Sequence, residues 1–207
     1  MGPVKKSILK GSTFFCLIIA VSLFSTRVDS RHTIRLQFKS DRTFQIVQFT
    51  DTQDDQNIDP RTVDLIEAVC DVQRPDLVVF TGDNISAGPL NANDVKRAID
   101  NIALPVNSRG IPWLVAFGNH DEDHRRFTGM DKEAQLRIYM AYDNNINVTG
   151  PAGVTGTGNM LAYIHHSEWH EAAHGSGGPA FVIWALDSGM YAPRYFAGQS
   201  ISGPPKW

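Results

Sequence analysis

Apolar and polar positions along the chain divide it into alternating strand and helix patterns. "FQIVQF" (Phe44–Phe49) alternates and is rich in β-formers, which predicts a strand. Asp59-Pro60 then supplies an N-cap and a proline at the first helical position. The helix that follows carries Val63, Ile66, Val69 and Cys70 on one stripe. A second strand is predicted at Leu77–Thr81, a helix at about Asn93–Ile102, a third strand at Trp113–Phe117 and a helix at Asp131–Tyr142. Gly, Asn and Thr dominate Asp143–Asn159, which reads as a loop. Two further strands, about Met160–His165 and Phe181–Leu186, flank a His-rich connection. Strands and helices alternating over short connections predict right-handed crossovers and an α/β domain with a parallel sheet segment.

The N-terminus departs from this pattern. Lys5, Lys6 and Lys10 precede the apolar run Thr13–Phe24, and Val28 and Ser30 occupy plausible −3 and −1 cleavage positions. Residues 1–30 therefore read as a secretory signal peptide, leaving residues 31–207 as a secreted domain. The run falls short of the roughly 20 apolar residues a membrane span needs, so no span is expected after cleavage. Cys16 lies inside the signal, so Cys70 is the lone cysteine of the mature chain and no internal disulfide is possible. Its place on the apolar helix face predicts a small buried hydrophobe. A formal charge of −3 with 20% charged residues shows no basic stripe for nucleic acid and no acidic tail. Asn147-Val148-Thr149 is a glycosylation sequon in a predicted loop.

Polar residues cluster where the predicted strands end. The first strand leads into Thr50-Asp51-Thr52-Gln53, the second into Gly82-Asp83-Asn84, and the third into Gly118-Asn119-His120-Asp121. A later run ends in Asp187-Ser188-Gly189. Any one of these reads equally well as a turn or a cap. Repetition at successive strand ends points instead to one edge of the sheet, where open α/β sheets bind ligands. Asp51 and Asp83 offer hard carboxylate oxygens, Asn119 a carboxamide oxygen and His120 an imidazole. Two metal ions about 3.5–4 Å apart, bridged by one carboxylate, clamp both oxygens of an in-line phosphoryl displacement and acidify a water between them. An imidazole beside them can stabilise phosphate charge or protonate the leaving oxygen.

"DTQ…GDN…GNHD", with "QFTDTQDDQNIDPRT", "PDLVVFTGDN", "PWLVAFGNHDED" and "ALDSG", resembles the calcineurin-like metallophosphoesterase family, and within it a purple-acid-phosphatase-like subgroup. The resemblance covers about Phe44–Trp207. It implies a four-layer α/β/β/α sandwich, a phosphate-ester substrate and two divalent or trivalent metal ions (Fe, Mn, Zn or Mg). By position, Asp51 would bind the first metal, Asp83 would bridge the two, and Asn119 would bind the second. His120 would act on the phosphate and the leaving group, with Asp121 orienting it. The family usually has histidine where this chain has Gln53, whose oxygen is a weaker, harder donor. Ser86 stands where coloured purple acid phosphatases carry a metal-bound tyrosine. The family's further histidine ligands lie in downstream motifs that are not reached before Trp207, so the resemblance implies a sandwich incomplete at the C-terminus and impaired activity.

Two other readings compete. "HEAAH" (His170–His174) matches the zinc-protease pattern HExxH, although "GSGGP" ends any helix soon after it, and a solvated hairpin tip accounts for the same histidines. A secreted, non-catalytic module that keeps the phosphoesterase shell is the third possibility. Beyond the motif, His124, Arg125 and Arg126 are placed to meet an anionic group of a substrate, or else to face solvent.

Overall fold

Three parallel strands in sequential order form the centre of the fold. They are β2 (Ile46–Phe49), β3 (Leu77–Thr81) and β4 (Trp113–Ala116), joined through α1 (Pro60–Gln73) and α2 (Ala92–Asn107). Right-handed crossovers between sequential parallel strands put both helices on one face of the sheet. Accordingly α2 packs against α1, and α4 (Lys132–Tyr139) packs against α2. This computed structural model describes residues 34–190 apart from Ser176, together with the short strands β7 (Tyr195–Phe196) and β8 (Gln199–Ser200). The signal-peptide reading and Cys16 fall outside the described residues.

The other face of the sheet is covered by a second, mixed sheet. Its order is β1 (Leu36–Gln37), β5 (Met160–His165), β6 (Pro179–Ala185), with β1–β5 parallel and β5–β6 antiparallel. Two cores follow from this stacking. Between helices and first sheet lie Ile66, Cys70, Phe80, Ile99, Trp113 and Tyr139; between the sheets lie Leu36, Leu77, Val79, Leu114, Ala162 and Ile164. The continuous apolar run of β3 is explained by burial on both sides. The α/β architecture is as the sequence predicts, and three of the four expected layers, α/β/β, lie among the described residues. On the outer face of the second sheet Tyr163 and Trp184 are exposed.

Local signals account for most boundaries. Asp59 caps α1 by accepting the N–H of Arg61, with Pro60 at the first position, a cap that stabilises by about 1 kcal/mol. Cys70 is buried, which pushes its thiol pKa up, so it is the inert hydrophobe expected. Helix α2 overruns its predicted end and carries Pro105 inside its last turn, where Ile102, Ala103, Pro105 and Val106 are all buried. Burial there outweighs the one backbone hydrogen bond a proline forfeits. Five elements went unpredicted: β1, the single-turn α3 (Arg125–Thr128), α5 (Glu168–His174), and the two-residue strands β7 and β8.

Candidate functional site

The carboxyl ends of β2, β3 and β4 lie side by side, and their loops are stitched together by backbone bonds. The Asp51 N–H donates to Gly82 O at 3.1 Å, and the Gln53 N–H donates to Asp83 O at 3.0 Å. From the third loop, the His120 N–H donates to Asp83 Oδ1 at 2.8 Å. Asp83 is thus held from both neighbouring loops. The glycines make this approach possible. A Cβ on Gly118 would lie 2.2 Å from Asp83 Oδ1, and one on Gly82 would lie 2.8 Å from Gly118 Cα.

The same loops store backbone strain. Asp51 (φ 53°), Gln53 (φ 38°) and Asp83 (φ 50°) occupy the left-handed region without being glycine. Each such residue costs of the order of 1 kcal/mol or more, and strain of this kind concentrates at functional sites. All three bear oxygen-donor side chains. The Asp51 carboxylate accepts the Thr50 hydroxyl at 2.5 Å, while the side-chain carboxamides of Gln53 and Asn119 make no hydrogen bond among the described residues.

The sequence model of calcineurin-like phosphoesterases matches residues 44–184. The chain belongs to the calcineurin-like phosphoesterase family. Among curated relatives it is 29% identical over 143 residues to "Probable inactive purple acid phosphatase 14" of Arabidopsis thaliana, covering 64% of this chain and 32% of that one. It is 28% identical over 138 residues to "Probable inactive purple acid phosphatase 29" of the same plant, covering 65% of this chain and 33% of that one. It is 40% identical over 65 residues to "Phosphatase DCR2" of Saccharomyces cerevisiae, covering 31% of this chain and 11% of that one. The chain spans about a third of the length of the two plant relatives and about a tenth of the yeast one.

Members of the family generally use divalent metal ions. In this phosphoesterase chain the oxygen-bearing side chains on the shared edge are two carboxylates and two carboxamides, and hard oxygens of this kind suit a hard divalent cation. Among the described residues no group of three or more His, Cys, Asp or Glu side chains is placed to hold a metal ion.

Among the described residues the Asp121 carboxylate bonds to backbone N–H groups rather than to the His120 ring. Asp121 is fully buried, and its carboxylate accepts the backbone N–H groups of Gly118 (2.7 Å), Asp83 (3.0 Å), Asn84 (2.7 Å) and Ile85 (3.3 Å). It clamps the second loop to the third. Burial raises its pKa, partly countered by those N–H bonds. The partner of His120 is Asp123, whose Oδ2 lies 2.6 Å from Nδ1. That bond, ahead of the fields of Asp83 and Asp121, raises the imidazole pKa above its ordinary value. A turn explains the substitution. The Asp123 N–H donates to His120 O at 2.9 Å, which folds the third acid of the run back beside the histidine.

Two further expectations are corrected. His124 does not face substrate or solvent, being completely buried with Nδ1 2.9 Å from the Thr128 hydroxyl and Nε2 without a hydrogen-bond partner. Desolvation lowers its pKa, so it stays neutral near pH 7; Arg125 and Arg126 are the exposed cations of this segment. Asn147 is not displayed as a glycosylation acceptor. It is buried, its Oδ1 accepts the Val115 N–H at 2.8 Å and its Nδ2 donates to Val115 O at 2.8 Å. The side chain imitates a neighbouring strand along the free edge of β4, continuing the backbone pairing that Asn144 and Ile146 make with Trp113.

The remaining motifs lie apart from these three strand ends or are already paired. Asp187, at the fourth strand end, forms a buried ion pair with Lys132 at 2.6 Å, so its carboxylate is already committed. The "HEAAH" segment lies in α5 (Glu168–His174), seven residues joining β5 to β6, and Glu171 is held by Arg35 at 2.5 Å. A protease would need that glutamate as a free base. The signals that sequence reasoning missed were Asp123 and Lys132, both polar residues whose partners only the fold selects.

Proposed function

We propose that this phosphoesterase chain binds two metal ions at the edge formed by Asp51, Gln53, Asp83 and Asn119 and acts on a phosphate ester there. The observation that carries the reading is the position of Asp83, strained, glycine-flanked and bonded to both neighbouring loops. Asp51 and Gln53 would hold one ion, Asn119 the other, and Asp83 would bridge them. The bound metals would supply Lewis-acid stabilisation of phosphate charge and a water ionised near neutral pH. His120, whose pKa Asp123 raises, would hold a phosphate oxygen and, when protonated, deliver its proton to the leaving oxygen, a role worth about 10²–10⁴ in rate. Metal identity is left to Fe, Mn, Zn or Mg, with the oxygen-rich donor set favouring Mn or Mg. The N-terminal pattern of Lys5, Lys6 and Lys10 before Thr13–Phe24 supports secretion of the domain.

A specific observation favours a second reading, a non-catalytic module. Gln53 replaces an imidazole donor, and two plant relatives carry the word "inactive" in their names. A manganese-supplemented assay with p-nitrophenyl phosphate separates the two. Turnover that needs Mn²⁺ and falls at least about 100-fold in Asp83→Asn and in His120→Ala supports the enzyme. Metal binding lost in Asp83→Asn, without any turnover in the parent chain, supports the module. Turnover indifferent to Asp83 contradicts both.

A further inference from the structure

A second cleft lies at the opposite end of the molecule from the strand-end loops. The direction of the strands places it there. The Ser188 N–H donates to Phe117 O, so β6 ends beside the strand-end loops that carry Asp51, Asp83 and Asn119; β5 runs antiparallel to β6 and delivers His165 and His166 to the far end, about 20 Å away over six residues. There the end of β1, the end of β5, the start of β6 and helix α5 enclose a cavity of about 190 Å³. Phe38, Arg42, His166, Trp169, His170 and Ala180 line it. It is smaller than the roughly 300 Å³ at which drug-sized pockets begin, and so suits one ring rather than several.

We propose that this cleft binds a small anion carried on a single aromatic ring. Its chemistry is one-sided. Arg42 has no carboxylate partner among the described residues, and no acid lines the cavity. Of the two acids on the helix, Glu168 and Glu171, neither lines the cavity and Glu171 is taken by Arg35. The imidazoles of His166 and His170 stack with centroids 4.2 Å apart, and His174 continues the column at 4.8 Å from His170. Near-parallel stacked rings carry their nitrogens in separate planes, no group of three or more His, Cys, Asp or Glu among the described residues is placed to hold a metal ion, and the Arg42 guanidinium repels a cation. A guanidinium beside imidazole N–H groups is instead a donor set for an oxyanion. The indole of Trp169, itself 60% exposed, and the ring of Phe38 supply flat apolar walls. Ser167 caps α5 by accepting the His170 N–H, which fixes the histidine column relative to the strand.

The groups facing His170 are His166, His174 and Arg42, all cationic when protonated, with only Glu171 opposing. Desolvation, then those like charges, hold its pKa below the ordinary value. A bound anion reverses the Coulombic part, so binding takes up a proton and, by reciprocity, tightens as pH falls. The site is independent of the phosphate-ester reading, because it shares no residue with it.

Benzenesulfonate is a suitable probe, since its charge is constant over the range used, with methanesulfonate and benzyl alcohol as the charge-only and ring-only controls. Side-chain NMR of the full chain follows Trp169, His166 and His170. Benzenesulfonate is expected to shift all three, to bind about tenfold more tightly at pH 5.5 than at pH 8, and to lose about tenfold in Arg42→Ala. Asp83→Asn is expected to bind it as the parent does. Equal shifts from benzyl alcohol, affinity that does not change with pH, or affinity indifferent to Arg42→Ala would each overturn the proposal.

Discussion

The Asp121 carboxylate receives the backbone N–H of Asp83 at 3.0 Å while being completely enclosed by protein. The most sequestered acid of the third loop thereby fixes the most central acid of the second. Replacing Asp121 with asparagine turns one acceptor oxygen into a carboxamide NH2 donor facing N–H donors. Leaving buried donors unpaired costs about 1–3 kcal/mol each. Asp121→Asn is expected to lose about 2–4 kcal/mol in urea unfolding of the metal-free chain and to weaken Mn²⁺ binding as well. A variant that loses activity alone, with unfolding unchanged, would return Asp121 to a purely chemical role.

Asp123 sets the charge of His120. Its hydrogen bond is the largest influence raising the imidazole pKa, with Asp83 and Asp121 adding to it. A histidine whose folded pKa is raised adds stability that is present in full below the ordinary value near 6.5 and is lost as pH rises through the folded value. In Asp123→Asn, NMR titration of the chelator-treated protein should show the His120 midpoint moved down, and the extra stability below pH about 6.5 should shrink. An unmoved midpoint would mean that another group holds the ring.

Asn147 is predicted to be structural although it begins a sequon. Asn147→Ala leaves the buried N–H and C=O of Val115 without their partner and should cost about 2–4 kcal/mol in thermal or urea unfolding. Chain made by a glycosylating host should carry no sugar at this position by intact mass. A folded, fully glycosylated chain of unchanged stability would contradict this placement.

How much was legible in the sequence followed the range of the forces involved. β3 and β5 appear at their predicted bounds because their apolar runs are locally complete, and α1 starts where Asp59 and Pro60 direct it. The site loops were also legible, since glycine, acid and amide recur at three consecutive strand ends. What escaped was set by distant partners. β1 is two residues long and exists through pairing with β5, far along the chain, although Ile34, Leu36 and Phe38 do alternate. In the run Asp121-Glu122-Asp123-His124, the turn decides which acid meets His120, and packing decides that His124 is enclosed. Asn147 was misread because a sequon and a strand-edge mimic are written with the same residue.

The central claim is that neighbouring strand ends gather Asp51, Asp83 and Asn119 into one cation site, and metal titration tests it most directly. Isothermal titration of the chelator-stripped full chain with Mn²⁺ is predicted to show saturable binding of at least about one ion, weakened at least about 100-fold in Asp83→Asn. A chain that takes up no Mn²⁺, or one in which Asp83→Asn binds it as tightly as the parent, would contradict the account.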